Sequence, residues 1–221
     1  MITLYHCNDA RSFRALWALE EVQVPYELKM LPFPPRFAAR EYLRVNPLGT
    51  IPLFLDGETR MTESAAIAQF VARRYGQGII DVADGEPGYG AYLNGLSFGE
   101  ATLTFPQTLF LRYSILEPEE RRQPKVAEDY ARWFLARLRH MRIEDGYVAA
   151  GRFTAADISV GYALLLAQDI GLTDRLPAEA LDYWARISDR DGYRRARAAQ
   201  AKAAADQGLV IRPIREFGAA S

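Results

Sequence analysis

Cysteine occurs once and histidine twice in 221 residues, and neither sign of charge is in excess: 27 lysines and arginines face 28 aspartates and glutamates, a formal charge of −1. The lone Cys7 excludes an internal disulfide and a Cys-x-x-Cys redox pair. His6 and His140 are too few for a histidine-rich metal site, and adjacent His6 and Cys7 point to opposite faces of an extended chain, so no metal is expected. Balanced charge leaves no electrostatic footprint for nucleic acid. No apolar run approaches the roughly 20 residues needed to span a bilayer, and the N-terminus enters a strand pattern without a basic-then-apolar leader, so a cytoplasmic protein without a membrane partner is expected.

What is present is concentrated in NPLGTIPLFLDGETRMTES, from Asn46 to Ser64. Asn46-Pro47-Leu48-Gly49 is turn chemistry, and Thr50-Ile51-Pro52 leads into an apolar strand, Leu53-Phe54-Leu55. A proline at a strand's start cannot donate to the ladder; it lies on an edge or adopts the cis form that aims the free N–H and C=O of the preceding residue outward, where they can grip another backbone. Asp56-Gly57 predicts a hairpin returning through Thr59 to Met61. Glu63-Ser64 falls where an amphipathic helix begins, and free N–H groups at such a start favour a carboxylate while Glu63 can hold an ammonium. The pair suits an amino-acid end.

The texture changes near residues 76 to 88. Before it, strands at Ile2 to Tyr5, Tyr26 to Met30, Pro52 to Leu55 and Thr59 to Met61 alternate with helices at Ser12 to Val22 and Ser64 to Tyr75. Beyond a glycine- and acid-rich linker, long helical patterns take over: Tyr89 to Leu111, Lys125 to Met141, Thr154 to Ile170, Ala178 to Ile187 and Gly192 to Ala204. Phe105-Pro106 is expected to kink or end the first of these. Phe153-Thr154-Ala155-Ala156-Asp157 reads as a capping box. The fold class is α/β followed by all-α, with domains at residues 1–77 and 89–221 and a linker at 78–88. Residues 205–221 show no clear periodicity.

Strand, helix, strand over residues 2–30, then NPLGTIP, then TESAAI, resembles the glutathione-binding half of the cytosolic glutathione transferases, and the capping box resembles one in their helical half; a bacterial member is expected. The resemblance implies a thioredoxin-like N-terminal domain, glutathione as co-substrate, a homodimer and a role in detoxification. By the same resemblance, Thr50 and Ile51 beside a cis Pro52 would pair with the cysteinyl part of glutathione, and Glu63 and Ser64 would hold its γ-glutamyl end.

A transferase of this kind must stabilise a thiolate, because a thiol of pKa about 8.5 is mostly protonated at neutral pH. The tools belong in the loop Tyr5-His6-Cys7-Asn8-Asp9-Ala10-Arg11-Ser12. Asp9 falls about where serine- and cysteine-type members carry their catalytic residue, yet a carboxylate cannot donate and would repel the anion. Tyr5 falls where tyrosine-type members carry a hydroxyl; Ser12 is the other hydroxyl, Asn8 a neutral amide donor and Arg11 a cation. Thiolate stabilisation by Ser12 or Arg11 with the helix dipole is the favoured reading, with Tyr5 left open. Asp9 and Ser12 also read simply as helix-start residues. Cys7, near a strand end, reads as a buried hydrophobe or as the nucleophile of a thiol transferase.

An apolar electrophile would lie between the halves, against Phe33 and Pro34 and against Phe98, Leu103, Phe105 and Tyr113 of the first long helix. The alternatives are a glutathione-binding regulatory or ligand-binding module with little turnover, for which Asp9 is the support, and a glutathione-dependent isomerase.

Overall fold

The computed structural model describes residues 1–218. Four strands, β1 (Ile2–His6), β2 (Tyr26–Met30), β3 (Leu53–Asp56) and β4 (Thr59–Met61), form one sheet in the order β2-β1-β3-β4. β1 and β2 run parallel, with Ile2 opposite Tyr26 and His6 opposite Met30, whereas β3 and β4 are antiparallel to their neighbours. The parallel pair requires a crossover, supplied by α1 (Phe13–Val22). The short α2 (Pro35–Ala38) and a 3₁₀ segment, Arg40–Arg44, follow β2, and α3 (Ser64–Tyr75) follows β4. The two short elements after β2 carry no strong periodic signal in the sequence.

Alternation decides which side of β1 meets what. Ile2, Leu4 and His6 are buried toward α1 and α3, while Thr3 and Tyr5 look the other way. On that second face Tyr42 covers the sheet, its ring 5.4 Å from that of Tyr5, and the Lys29 ammonium lies 5.5 Å from the Tyr5 ring centre.

The second half is helical: α4 (Tyr89–Ser97), α5 (Phe105–Leu111), α6 (Pro124–Leu138), α7 (Ala155–Asp169), α8 (Ala178–Ser188) and α9 (Asp191–Asp206). Pro106 does not split the first of these runs as expected. The helix widens to a π register over Phe98–Thr104, where the N–H of Phe105 reaches the carbonyl of Glu100 five residues back, and continues into α5. A widened turn accommodates the proline's missing donor and bulky ring without ending the run. A second π segment, Arg112–Leu116, closes it.

The capping box is present. The Thr154 N–H donates to Asp157 Oδ2 at 2.8 Å, and the Thr154 hydroxyl oxygen accepts from the first turn of α7. Asp157 also accepts from the Val148 N–H and the Tyr183 hydroxyl, tying the preceding loop and α8 to the start of α7.

One buried cluster runs through both halves. Trp17 of α1 is fully buried beside Gly161 of α7, where an added Cβ would come within 2.9 Å of the indole. Gly99 is tighter still, since a Cβ there would lie 2.4 Å from the backbone of Ser159. α7 can approach the other helices this closely because those positions are glycine.

Candidate active site

The loop after β1 is held from a distance. The His6 ring is fully buried, with Nδ1 2.7 Å from Ser12 Oγ and Nε2 2.9 Å from Gln200 Oε1 of α9. An amide oxygen only accepts, so Nε2 carries the proton and Nδ1 accepts from the Ser12 hydroxyl. Burial pulls the ring's pKa down to about 4, against the raising pull of the Gln200 hydrogen bond and Asp9. Ser12 Oγ also receives the Cys7 N–H at 3.3 Å. Fully buried and engaged by these partners, Ser12 is a structural residue and not the hydroxyl expected to face a thiolate.

Asp9 has φ +50°, a left-handed conformation that aspartate tolerates better than most residues. It does not cap α1, where no side-chain cap is made. Its carboxylate is instead bound by Arg197, by Gln200 Nε2 at 2.7 Å and by Asn8 Nδ2 at 2.7 Å. The charge that would repel a thiolate is therefore paired with the Arg197 guanidinium.

Tyr5, on the sheet face covered by Tyr42, does not line the cleft. Cys7 is fully buried, and burial pushes its thiol up to about 12, which removes the nucleophile considered for a thiol transferase.

Asn8, Asp9 and Arg11 open onto a cleft of about 820 Å³ that Phe33, Pro34, Thr50 and Ile51 also line. The Ile51–Pro52 bond is cis. Thr50's carbonyl is taken by the Tyr42 hydroxyl and by Asn46 Nδ2, both at 2.8 Å, which fixes the NPLGT turn. Among the described residues Ile51 makes no backbone hydrogen bond outside the sheet ladder, so its N–H and C=O remain available to a second backbone.

α3 begins beside Arg11, close enough for the Glu63 charge to act on that guanidinium. Glu63 is extended, its carboxylate is exposed and caps nothing, and Ser64 is the first helical residue. The first-turn N–H groups have no intrahelical acceptor. Ser64 Oγ accepts from Arg14 Nη1 at 3.1 Å, and the fully buried Arg14 also donates to Thr104 Oγ1 at 2.7 Å and to the carbonyls of Gly99 and Ser159, both at 3.2 Å. Glu100 joins this arginine to the next: one carboxylate oxygen meets Arg14, the other Arg11 Nε at 2.7 Å. Burial alone would raise Glu100, but Arg14 and Arg11 hold it below the usual carboxylate value. Arg11 is further pinned by Thr108 Oγ1 at 2.9 Å.

The apolar wall differs from the expected one. Phe33 and Pro34 line it, but Leu103 is fully buried in the core, Phe98 packs against that core, and Phe105 and Tyr113 lie outside the cleft. The π register turns these side chains off the face that the sequence spacing suggested. In their place stand Leu111 and Leu116, the α7 residues Tyr162, Leu166 and Asp169, and the tail from Leu209 to Phe217. The tail is anchored where Phe217 meets Phe33 edge-on at 5.7 Å and where Arg215 Nε donates to the Asp169 carbonyl at 2.6 Å. Tyr162, Leu166 and Asp169 share one face by their spacing of four and three, a signal the sequence carried.

No cluster of metal-ligating side chains occurs among the described residues, and none of their helices is long and apolar enough to cross a membrane.

A model of the glutathione S-transferase N-terminal domain matches residues 1–73. Glutathione S-transferase 3 of Schizosaccharomyces pombe is 29% identical over 212 residues, covering 88% of this chain and 86% of its own. Glutathione S-transferase hmp2 of Hypomyces subiculosus is 30% identical over 144 residues, 61% of this chain and 68% of its own. Among solved structures, the glutathione transferase URE2P6 of Phanerochaete chrysosporium, in complex with oxidized glutathione, superposes with a TM-score of 0.77 at 25% identity, over 91% of this chain and 97% of that one. All three relatives are fungal, so they lend no support to a bacterial source.

Proposed function

The chain belongs to the glutathione S-transferase family and is a glutathione transferase with glutathione as its co-substrate; on that premise we propose that Ile51, Glu63 and Ser64 grip the peptide while Asn8 and Arg11 stabilise its thiolate. The observation that carries this reading is convergence. A free backbone pair at Ile51 and the donors of Asn8 and Arg11 border one cleft, and the uncapped helix start at Glu63-Ser64 is tied to it: Ser64 binds Arg14, which shares Glu100 with Arg11, and the Glu63 charge acts on Arg11.

Each contact answers a part of the ligand. The Ile51 N–H and C=O extend an antiparallel pairing to the cysteinyl residue, beside cis Pro52 and Thr50. The α-carboxylate of the γ-glutamyl group meets the first-turn N–H groups of α3 and the Ser64 hydroxyl, whose oxygen already accepts from Arg14 and whose proton is free to donate. The exposed Glu63 carboxylate takes the ammonium. Asn8 spends one amide hydrogen on Asp9 and keeps the other for sulfur, and Arg11 adds positive charge at the mouth of the cleft. The sulfur then attacks an apolar electrophile lying against Phe33, Leu116, Leu166 and the tail.

The pairing of Asp9 with Arg197 weakens the main support for a regulatory module without turnover. The reading extends to a homodimer in the cytoplasm that disposes of reactive apolar compounds, supported by the family; sedimentation of the purified protein tests the dimer. Calorimetric titration with glutathione tests the clamp. Glu63→Ala and Ser64→Ala are each expected to weaken binding about tenfold, the loss of one charge-assisted contact of ~1.4 kcal/mol, and unchanged affinity would sink the assignment.

A further inference from the structure

Asp169 stands on the cleft wall with a carboxyl group that has no hydrogen-bond partner among the described residues. It is the last residue of α7, where the helix's negative end disfavours a second negative charge. Burial first, and then the charge of Asp9, raise its pKa to about 7, against the opposing pull of Arg197 and Arg215. Both arginines are otherwise engaged: Arg197 pairs with Asp9, and Arg215 donates to the carbonyls of Gln168 and Asp169. Of the other groups around it, the Tyr162 hydroxyl is buried, 3.4 Å from the Asp9 carbonyl, and its acidity is suppressed by burial. Arg212 also stands on the wall. Tyr193 of α9 lies near enough to feel the charges of Asp9 and Asp169, but it is itself raised by burial to about 12.

A carboxyl group half protonated near neutral pH, unbound, and facing the space where an electrophile would lie is placed to donate a proton. We propose that Asp169 is the general acid for electrophiles whose oxygen takes up charge when sulfur attacks, namely epoxides and α,β-unsaturated carbonyls. With an epoxide, the sulfur lone pair forms the C–S bond, the C–O bond breaks, its electron pair goes to oxygen, and oxygen takes the proton of Asp169. Water then returns a proton to the carboxylate. Displacement of halide from an aromatic ring releases a stable anion and needs no such donor. The inference rests on the reading of this cleft as the electrophile's site.

The test compares styrene oxide with a chlorodinitrobenzene, using the full chain and glutathione. Asp169→Asn should lower kcat/KM on the oxide at least about tenfold more than on the aryl chloride, since acid catalysis contributes on the order of a hundredfold or more. The wild-type rate on the oxide should fall as pH rises through about 7, as the acid is lost, and that fall should vanish in the variant and return with Asp169→Glu. Equal losses on both substrates, or a high-pH fall that survives in Asp169→Asn, would overturn the inference while leaving the transferase reading intact. Failure of the wild type to bind glutathione would overturn that reading and the inference with it.

Discussion

His6 and Gln200 lie 194 residues apart in sequence and share a hydrogen bond, Nε2 of the ring 2.9 Å from Oε1 of the amide. Through it α9 holds the loop that carries Asn8 and Arg11, because the same amide accepts the Asp9 N–H at 3.2 Å and donates to the Asp9 carboxylate. The neutral ring is required, since a doubly protonated imidazole could not accept from Ser12.

That requirement sets an acid limit on stability. The folded pKa of about 4 lies below the unfolded 6.5, so the contribution is present in full above 6.5 and is lost as pH falls toward 4. The loss amounts to about 3 kcal/mol for a fully buried ring. Urea titrations between those pH values should show it, and His6→Gln, less stable at neutral pH, should lose less over the same interval. An equal loss in the variant would place the acid sensitivity elsewhere.

Arg14 should be among the most costly single residues to remove. It is fully buried and binds Ser64, Glu100, Thr104 and two backbone carbonyls across the two halves of the chain. Arg14→Met leaves Glu100 partly buried with only Arg11, and the expected loss is about 3–5 kcal/mol in denaturant titration. A loss below about 1 kcal/mol, the value of an exposed pair, would contradict the network as described.

Much of this was legible in the sequence because the signals are local. The four strands, the Thr154–Asp157 capping box and the free backbone beside Pro52 follow from alternation, spacing and proline's missing donor. The interior partners of the loop were not. Ser12 reads as an available hydroxyl until α9 brings Gln200 to His6, and Tyr5 reads as a site residue until the Arg40–Arg44 segment places Tyr42 over it. Leu103 and Phe98 left the cleft because the π segment changes the register of their helix, which a spacing of 3.6 does not anticipate. The tail's role rests on separate side-chain contacts such as Phe217 on Phe33, which leave no periodic trace.

The tail should govern the electrophile alone. A stop codon in place of Leu209 removes part of the apolar wall and leaves Ile51, Glu63 and Ser64 untouched. Each Å² of substrate surface left in water costs about 25 cal/mol. KM for an apolar electrophile should therefore rise several-fold, while the Kd for glutathione stays within twofold. A parallel fall in glutathione affinity would show that the tail supports the clamp as well.

Cys7 should be inert in the native protein. With its thiol raised to about 12 and its side chain buried, alkylation by iodoacetamide at mildly alkaline pH should be negligible until denaturant is added. Rapid modification of the folded chain would contradict its placement.

The central claim is that this site binds glutathione as a thiolate. The most direct test is ultraviolet thiolate absorbance of the glutathione complex followed against pH, for the wild type and for Asn8→Ala and Arg11→Ala. The account predicts a bound thiol pKa well below the free value of about 8.5, moving back toward it in both variants. Bound glutathione that titrates at or above its free value would contradict the account.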